Sequence, residues 1–195
     1  RNNWENVFTK YDIGWIIFPT AKLTNALKKQ VVSGSWCLVF WDDTASIILR
    51  KTENDLLCKE HAYPPEVLNP SIYKDNDLQK LESAYERAID SSTRNATAHN
   101  KLGTVYATEG KEQEAKDEFK AAIQKAPHYS PAYLNLAALY KKGNPQKSIE
   151  ILKTGLRHNT QNPTIHKELA DLYNNKLGDN NTALKHIKKF KKLKQ

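Results

Sequence analysis

The chain contains no methionine, and its small numbers of cysteines, glycines and prolines exclude several classes of protein. Its 195 residues include 7 Gly and 8 Pro, too few for a collagen-like or a Pro/Gly-rich disordered chain. Its 2 Cys can build neither a disulfide scaffold nor a cysteine-only zinc site. No apolar run approaches the roughly 18 residues that a membrane-spanning helix needs. Because the first residue is Arg1 and not methionine, we expect a processed product or a part of a longer protein.

Three similar blocks follow one another in the C-terminal half of the chain at a nearly constant interval. They are Leu-Gly-Thr-Val-Tyr at 102–106, Leu-Ala-Ala-Leu-Tyr at 136–140 and Leu-Ala-Asp-Leu-Tyr at 169–173, so their tyrosines are 34 and 33 residues apart. The first block continues with Gly110, Ala115, Phe119, Ala122 and Pro127. This order and spacing resembles the tetratricopeptide repeat, in which two helices form a unit that stacks on its neighbours.

The resemblance implies an all-α helical array over residues 76–195. A half repeat at 76–95 would be followed by full repeats at 96–129, 130–162 and 163–195. In the half repeat, the residues in second-helix places are Leu81, Tyr85, Ala88 and Ile89. Three dipeptides place a capping side chain directly before a proline, and each therefore predicts a helix start: Ser130-Pro131, Asn144-Pro145 and Asn162-Pro163.

Residues 1–60 have a different pattern, which predicts a small α/β domain in the order helix–strand–helix–strand–strand. A helix is predicted by the apolar stripe at Trp4, Val7, Phe8 and Tyr11. The continuous apolar run 13–18 predicts a strand that is buried on both faces and paired in parallel. Such a sheet would have only three strands, so we expect another strand upstream of Arg1.

The second half of this domain is predicted as a helix followed by a hairpin. The helix is capped by Thr20 and ended by Gly34. The hairpin has strands at 36–41 and 46–49 around a turn at 42–44. With residues 61–75 as a linker to the repeats, the predicted fold class is α+β overall: a small α/β domain followed by an all-α array.

A second resemblance lies in the first 60 residues. It is carried by Lys10, Tyr11, Ile13, Trp15, Ile16, Ile17, Trp36, Leu38, Val39, Asp42, Asp43, Ala45 and Arg50. Their order is similar to the soluble tail that follows the last membrane helix in multi-spanning proteins of the lipid-sugar glycosyltransferase class. The resemblance implies an extracytoplasmic C-terminal region of a polytopic membrane protein, whose catalytic carboxylates would lie elsewhere. The alternative is a soluble cytosolic tetratricopeptide scaffold with no membrane parent.

Cys37 lies in a predicted strand and Cys58 just beyond the hairpin, so the two side chains can meet. An extracytoplasmic location would favour a disulfide, whereas two free buried thiols are the default elsewhere. Both states remain open from the residues, with free thiols slightly favoured.

No catalytic or cofactor motif is present, so the sequence predicts that this chain alone is not an enzyme and binds no cofactor or metal. Asp42 and Asp43 form the one carboxylate pair that suggests acid–base catalysis. Because adjacent residues in a hairpin point in opposite directions, we predict a turn role instead. The six histidines have no metal-ligand spacing. Two of them, His99 and His166, stand where the repeat commonly has Trp at the helix–helix contact, which predicts a packing or surface role.

The repeats imply binding of a protein or peptide partner in a groove lined by the first helix of each repeat. By helical spacing the lining residues are Asn100, Thr104, Leu134, Ala138, Lys141, Lys167, Asp171 and Asn174. They do not reproduce the lysine and asparagine pattern by which some such repeats hold a peptide C-terminus.

Basic charge is concentrated at the C-terminal end, where residues 141–195 hold 13 Lys+Arg against 4 Asp+Glu. The last helix predicted there has an apolar side and six lysines between Lys185 and Lys194. It is predicted to be a capping helix with a solvated outer face that contacts anionic membrane surfaces weakly. No aromatic residues alternate with these lysines, so no specific binding of nucleic acid is expected.

Overall fold

The computed structural model describes residues 10–20, 25–64, 67 and 78–194, although the side chains of residues 25 and 26 are not described. The chain divides into two compact units, Arg1–Ala98 and His99–Gln195. The predicted first helix at Trp4, Val7 and Phe8 lies outside the described residues, as does the start of the helix that Thr20 is predicted to cap.

The elements of the chain run from a small sheet into consecutive helices. The sheet region comprises β1 (Trp15–Pro19), α1 (Asn25–Val32), β2 (Trp36–Trp41), β3 (Ala45–Arg50) and α2 (Asp55–His61). The helices that follow are α3 (Leu78–Ser91), α4 (Ala96–Thr108), α5 (Glu112–Lys125), α6 (Ser130–Tyr140), α7 (Pro145–His158), α8 (Pro163–Asn175) and α9 (Asn180–Leu193). This order confirms the predicted fold class. In the described part of the chain, every helix is too short or too polar to cross a membrane.

The sheet is antiparallel throughout, with β3 in the centre of the order β1-β3-β2. The prediction of parallel pairing is therefore wrong. After the hairpin, β3 pairs with β2 on one side and with β1 on the other, Ile48 lying opposite both Leu38 and Ile16. The prediction that β1 is buried on both faces is also wrong, because β1 lies at an edge of the described sheet and Trp15 is 62% exposed.

The hairpin and the end of the preceding helix follow the prediction. β2 and β3 enclose the turn at 42–44, and Gly34 has a φ of 82° just after α1. Glycine adopts this left-handed conformation without the steric cost that a Cβ would bring. Cys37 in β2 and Cys58 in α2 form a disulfide with a Cα–Cα distance of 5.8 Å. The slight preference for free thiols is thus wrong, because the strand and the helix bring the two residues together.

α3 packs on the sheet in the first unit. Its buried residues are Leu81, Ala84, Tyr85 and Ala88. The ring of Tyr85 meets that of Trp41 edge-on, with 6.2 Å between the ring centroids. The sheet thus covers the apolar face of the predicted half repeat. The predicted domain limits, 1–60, 61–75 and 76–195, stay a prediction.

Within the second unit, caps and small residues define the helix pairs. Asn144 and Asn162 cap α7 and α8 as predicted, since their side chains accept hydrogen bonds from the backbone N–H groups of Lys147 and Ile165. The predicted cap at Ser130 is wrong, because Ser130 lies inside α6 and its hydroxyl contacts the Asn159 side chain instead.

α4 and α5 approach closely at Gly103, where an added Cβ would lie 2.7 Å from Phe119 Cε1. Phe119 itself is 2% exposed and fills the space between α4 and α5. Tyr106 and Tyr140 pack against the same cluster and are half-buried. The aromatic position of the repeat is therefore a core position.

We expect Phe119→Ala to reduce the free energy of unfolding by roughly 3–5 kcal/mol, because the change leaves a large cavity beside a glycine that cannot fill it. Urea unfolding followed by far-ultraviolet circular dichroism measures this loss. Phe190→Ala is the matched control: Phe190 is half-buried, so its loss should be clearly smaller. A loss below about 1 kcal/mol for Phe119→Ala would contradict the repeat register.

Candidate functional site

The predicted groove residues lie on the first helix of each repeat. Asn100 and Thr104 are on α4, Leu134 and Ala138 are on α6 with Lys141 directly after it, and Lys167, Asp171 and Asn174 are on α8. Their environments differ, and two contacts join neighbouring repeats.

The first of these contacts joins the first and second repeats. Asn100 is 5% exposed, and its Oδ1 accepts a hydrogen bond of 2.9 Å from Nδ2 of Asn135. The hydroxyl of Thr104 donates to the backbone oxygen of Asn100 at 2.9 Å. Asn100 is therefore a structural residue between repeats and has little surface to offer a partner.

The second contact joins the second and third repeats. Lys141 Nζ lies 2.8 Å from Glu168 Oε2, and both side chains are about one-third exposed. This pairing neutralises the charge of Lys141 and reduces its value for binding a partner's carboxylate.

The other predicted residues present mostly short side chains to solvent. Thr104, Ala138, Lys167 and Asn174 are exposed, while Leu134 and Asp171 are half-buried. Asn174 donates to the side chain of Asn175 at 2.9 Å. Binding by these residues stays a prediction.

Three residues that bear on this surface were not identified from the sequence: Lys101, Asn135 and Glu168. They occupy one repeat position, being 34 and 33 residues apart, which is the spacing of the tyrosines. That periodicity was a usable signal for them. Lys101 is half-buried, and burial lowers the pKa of its ammonium group.

The two histidines at the Trp position pair with the second helix of their own repeats. His99 Nδ1 lies 2.7 Å from Glu118 Oε2, and His166 Nδ1 lies 2.9 Å from His186 Nδ1. His166 is 4% exposed, which confirms its packing role. Burial is the main cause that lowers the pKa of both His166 and His186. Nowhere in the described ranges do three His, Cys, Asp or Glu side chains converge as a metal site would require.

The Asp42–Asp43 pair confirms the predicted turn role. Asp42 Oδ1 accepts hydrogen bonds from the backbone N–H groups of Thr44 and Ala45 at 2.7 and 2.8 Å. Asp43 caps a distant helix, because Oδ2 accepts from the N–H of Ala96 at 2.7 Å. Both carboxylates are thus occupied by the fold.

A neighbouring residue completes the start of α4. Asn95 is fully buried, and its Oδ1 accepts from the N–H of Ala98 at 3.0 Å while its Nδ2 donates to the backbone oxygen of Trp41 at 3.1 Å. The amides that a helix N-terminus leaves unpaired are therefore satisfied from two places in the chain.

Comparison with known proteins identifies the helical class. Residues 106–172 match the tetratricopeptide repeat family. This match covers about a third of the chain, and it supports tetratricopeptide repeats in the second unit. A search of the curated proteins found no significant match.

Solved structures share this fold at low sequence identity. "Crystal structure of MamA" is 21% identical with a TM-score of 0.52, and the match covers 74% of this chain and 91% of that one. "MamA 41-end from Desulfovibrio magneticus RS-1" is 17% identical with a TM-score of 0.56, covering 90% and 95%. TTC0263, a thermophilic repeat protein of Thermus thermophilus, is 20% identical with a TM-score of 0.52, covering 65% and 71%. Identities this low establish the fold alone.

We expect the stability of the first unit to depend on ionised Asp42. Burial by itself would raise the pKa of Asp42, but the backbone hydrogen bonds, the Ser92 hydroxyl and the charge of Arg94 outweigh it and lower the pKa below 3.8. A lowered pKa stabilises the fold above the unfolded-state value, and this contribution is lost as pH falls through the folded-state value. The free energy of unfolding should therefore decrease below about pH 4.

Tryptophan fluorescence isolates this effect, because all 4 Trp lie within residues 1–41. In urea unfolding at several pH values, Asp42→Asn should lower the stability near neutral pH and flatten the acid dependence. Asp117→Asn is the control: the pKa of Asp117 is also lowered, by hydrogen bonds to Gln113 and Lys120, but the residue lies in the second unit. An unchanged acid dependence in Asp42→Asn would disprove this role.

Proposed function

We propose that the chain is a non-catalytic scaffold that binds a protein or peptide partner in the groove formed by α4, α6 and α8. The observation that carries the proposal is the row of short exposed side chains on successive first helices. Thr104 and Ala138 occupy the same repeat position and are both exposed. Short side chains at this repeated position allow the backbone of a bound peptide to approach closely.

The charges beside this row favour a partner segment of low net charge. Lys141 is paired with Glu168 at 2.8 Å, so the middle of the row carries little net charge. Asn100 and Asn135 use their facing amide groups on each other. Recognition would then rest on shape and on contacts with Leu134 and Ala138, and not on a lysine clamp around a carboxylate.

A finer part of the proposal is that the chain is the extracytoplasmic C-terminal region of a polytopic, glycosyltransferase-like membrane protein. The disulfide between Cys37 and Cys58 supports an oxidising compartment, because disulfides are rare in reducing cytosol. Exposed aromatic and aliphatic side chains support a nearby bilayer: Tyr11, Trp15 and Ile17 are each more than half exposed. Tyr and Trp are enriched at membrane–water interfaces.

The groove is tested by selecting displayed peptides on the wild-type chain and measuring their affinity for two variants. Ala138→Arg places a long charged side chain in the row and should weaken the selected peptides by about tenfold or more, through steric exclusion. Gln124→Arg is the matched control, since Gln124 is exposed on the second helix of its repeat. Peptides that bind both variants as well as wild type would contradict the groove.

The compartment is tested by mass spectrometry of the protein isolated from its native cells, without reductant. We expect Cys37 and Cys58 in one disulfide-linked peptide pair. Reduction should then cost the first unit roughly 2–4 kcal/mol, because the bond closes a loop in the unfolded chain, and tryptophan fluorescence should detect the loss. Two free thiols in the native protein would favour the cytosolic alternative.

A further inference from the structure

A basic cavity of about 330 Å³ lies beside the C-terminal half of α9. It is lined by Thr160 and Gln161 from the turn between α7 and α8, and by Lys188, Lys189, Lys192 and Leu193 from α9. We call these six residues the basic pocket. None of them is among the predicted groove residues, so the pocket is a separate feature of the second unit.

Three lysines line this pocket, and none of them is paired with a carboxylate in the described part of the chain. Lys188 and Lys192 are one helical turn apart on α9, and Lys189 follows Lys188 directly. Among the residues that the structure describes, Lys188, Lys189 and Lys192 form no ion pair, whereas Lys141 and Lys147 do. A cluster of like charges has a cost in free energy that a bound anion would relieve.

The walls of the pocket are held by contacts outside it. Asn159 Nδ2 lies 3.2 Å from Ser130 Oγ and Asn162 caps α8, so both flanks of the turn at 160–161 are fixed. On the other side, α9 is fixed by the pairing of His186 with the buried His166 and by the burial of Ala183. The spacing between the turn and the lysines therefore does not depend on a ligand.

The turn contributes neutral donors. In the described part of the chain, the Thr160 hydroxyl and the Gln161 side-chain amide have no hydrogen-bond partner, and both residues are exposed. Hydroxyl and amide donors that line one pocket together with lysines suit an oxyanion with several acceptor oxygens. The aliphatic part of the wall, Leu193 and the lysine stems, leaves room for an ester substituent.

We propose that the basic pocket binds a phosphate group, held by Lys188, Lys189 and Lys192 with donors from Thr160 and Gln161. Two sources share this chemistry: a free phosphate and an anionic phospholipid headgroup. Leu184 and Ile187, which are 50% and 36% exposed on the same helix, would contact the bilayer in the second case. The proposal goes beyond the partner-binding groove and does not depend on it.

The experiment compares two triple variants of equal charge in the full chain. Lys188→Gln with Lys189→Gln and Lys192→Gln removes the pocket cations. Lys185→Gln with Lys191→Gln and Lys194→Gln removes two lysines of the same helix and the one directly after it, none of which lines the pocket. Circular dichroism verifies that both variants keep the helical content of wild type.

Binding is measured by calorimetry with inorganic phosphate, and by co-sedimentation with phosphatidylcholine vesicles that contain or lack phosphatidic acid. The pocket variant should lose about tenfold or more in affinity, and the control variant much less. Binding of inorganic phosphate identifies a free-phosphate site, and binding of phosphatidic acid vesicles alone identifies a headgroup site. Absence of both, or equal losses in the two variants, would overturn the proposal, because equal losses indicate diffuse charge attraction.

Histidine titration by nuclear magnetic resonance gives a local readout. The imidazole rings of His166 and His186 are surrounded by Lys153 on α7, Tyr173 on α8 and Lys189 on α9. Because the charge of Lys189 contributes to lowering the pKa values of His166 and His186, an anion at Lys189 should raise both. Unchanged titration curves at a saturating ligand concentration would place the anion elsewhere and contradict the proposal.

Discussion

The close approach of the two helices within each repeat, at positions with small side chains, is the constraint on which the array depends. At Gly103 even a Cβ would collide with Phe119. In the second repeat, the buried Ser148 is near enough to donate to the backbone oxygen of Ala137 at 2.8 Å. This packing buries the apolar side chains between the helices. Polar and charged side chains are left for the contacts between repeats and for the surfaces where ligands can bind.

The first unit uses its acidic residues for structure. Asp42 closes the hairpin turn, Asp43 accepts from Ala96 at the start of α4, and the buried Asn95 contacts both Trp41 and Ala98. Asp42 is a poor general base, since its two backbone hydrogen bonds favour the ionised form of its carboxyl group. The pair that looked most like an acid–base couple therefore stabilises the hairpin turn and binds the backbone N–H groups of Ala96 and Thr97.

The second unit has two surfaces of different chemistry. The groove side has mostly short side chains. Its net charge is close to zero in the middle, because Lys141 pairs with Glu168. The basic pocket on α9 carries three lysines without a carboxylate partner in the described structure. The proposed peptide groove and the proposed phosphate pocket therefore involve different residues of the second unit.

The sequence by itself determined whatever depends on neighbours a few residues apart or on a fixed repeat. The 34- and 33-residue steps placed the helix pairs and the buried aromatic at Phe119, and local capping chemistry placed the starts of α7 and α8. The tertiary structure decided which distant groups meet. A continuous apolar run such as β1 does not specify its neighbour, so only the fold put β3 between β1 and β2. Three further features likewise join segments that are 21 or more positions apart in the chain: the Cys37–Cys58 bond, the Asn100–Asn135 contact and the basic pocket. The periodicity of a single helix or strand does not encode such distances.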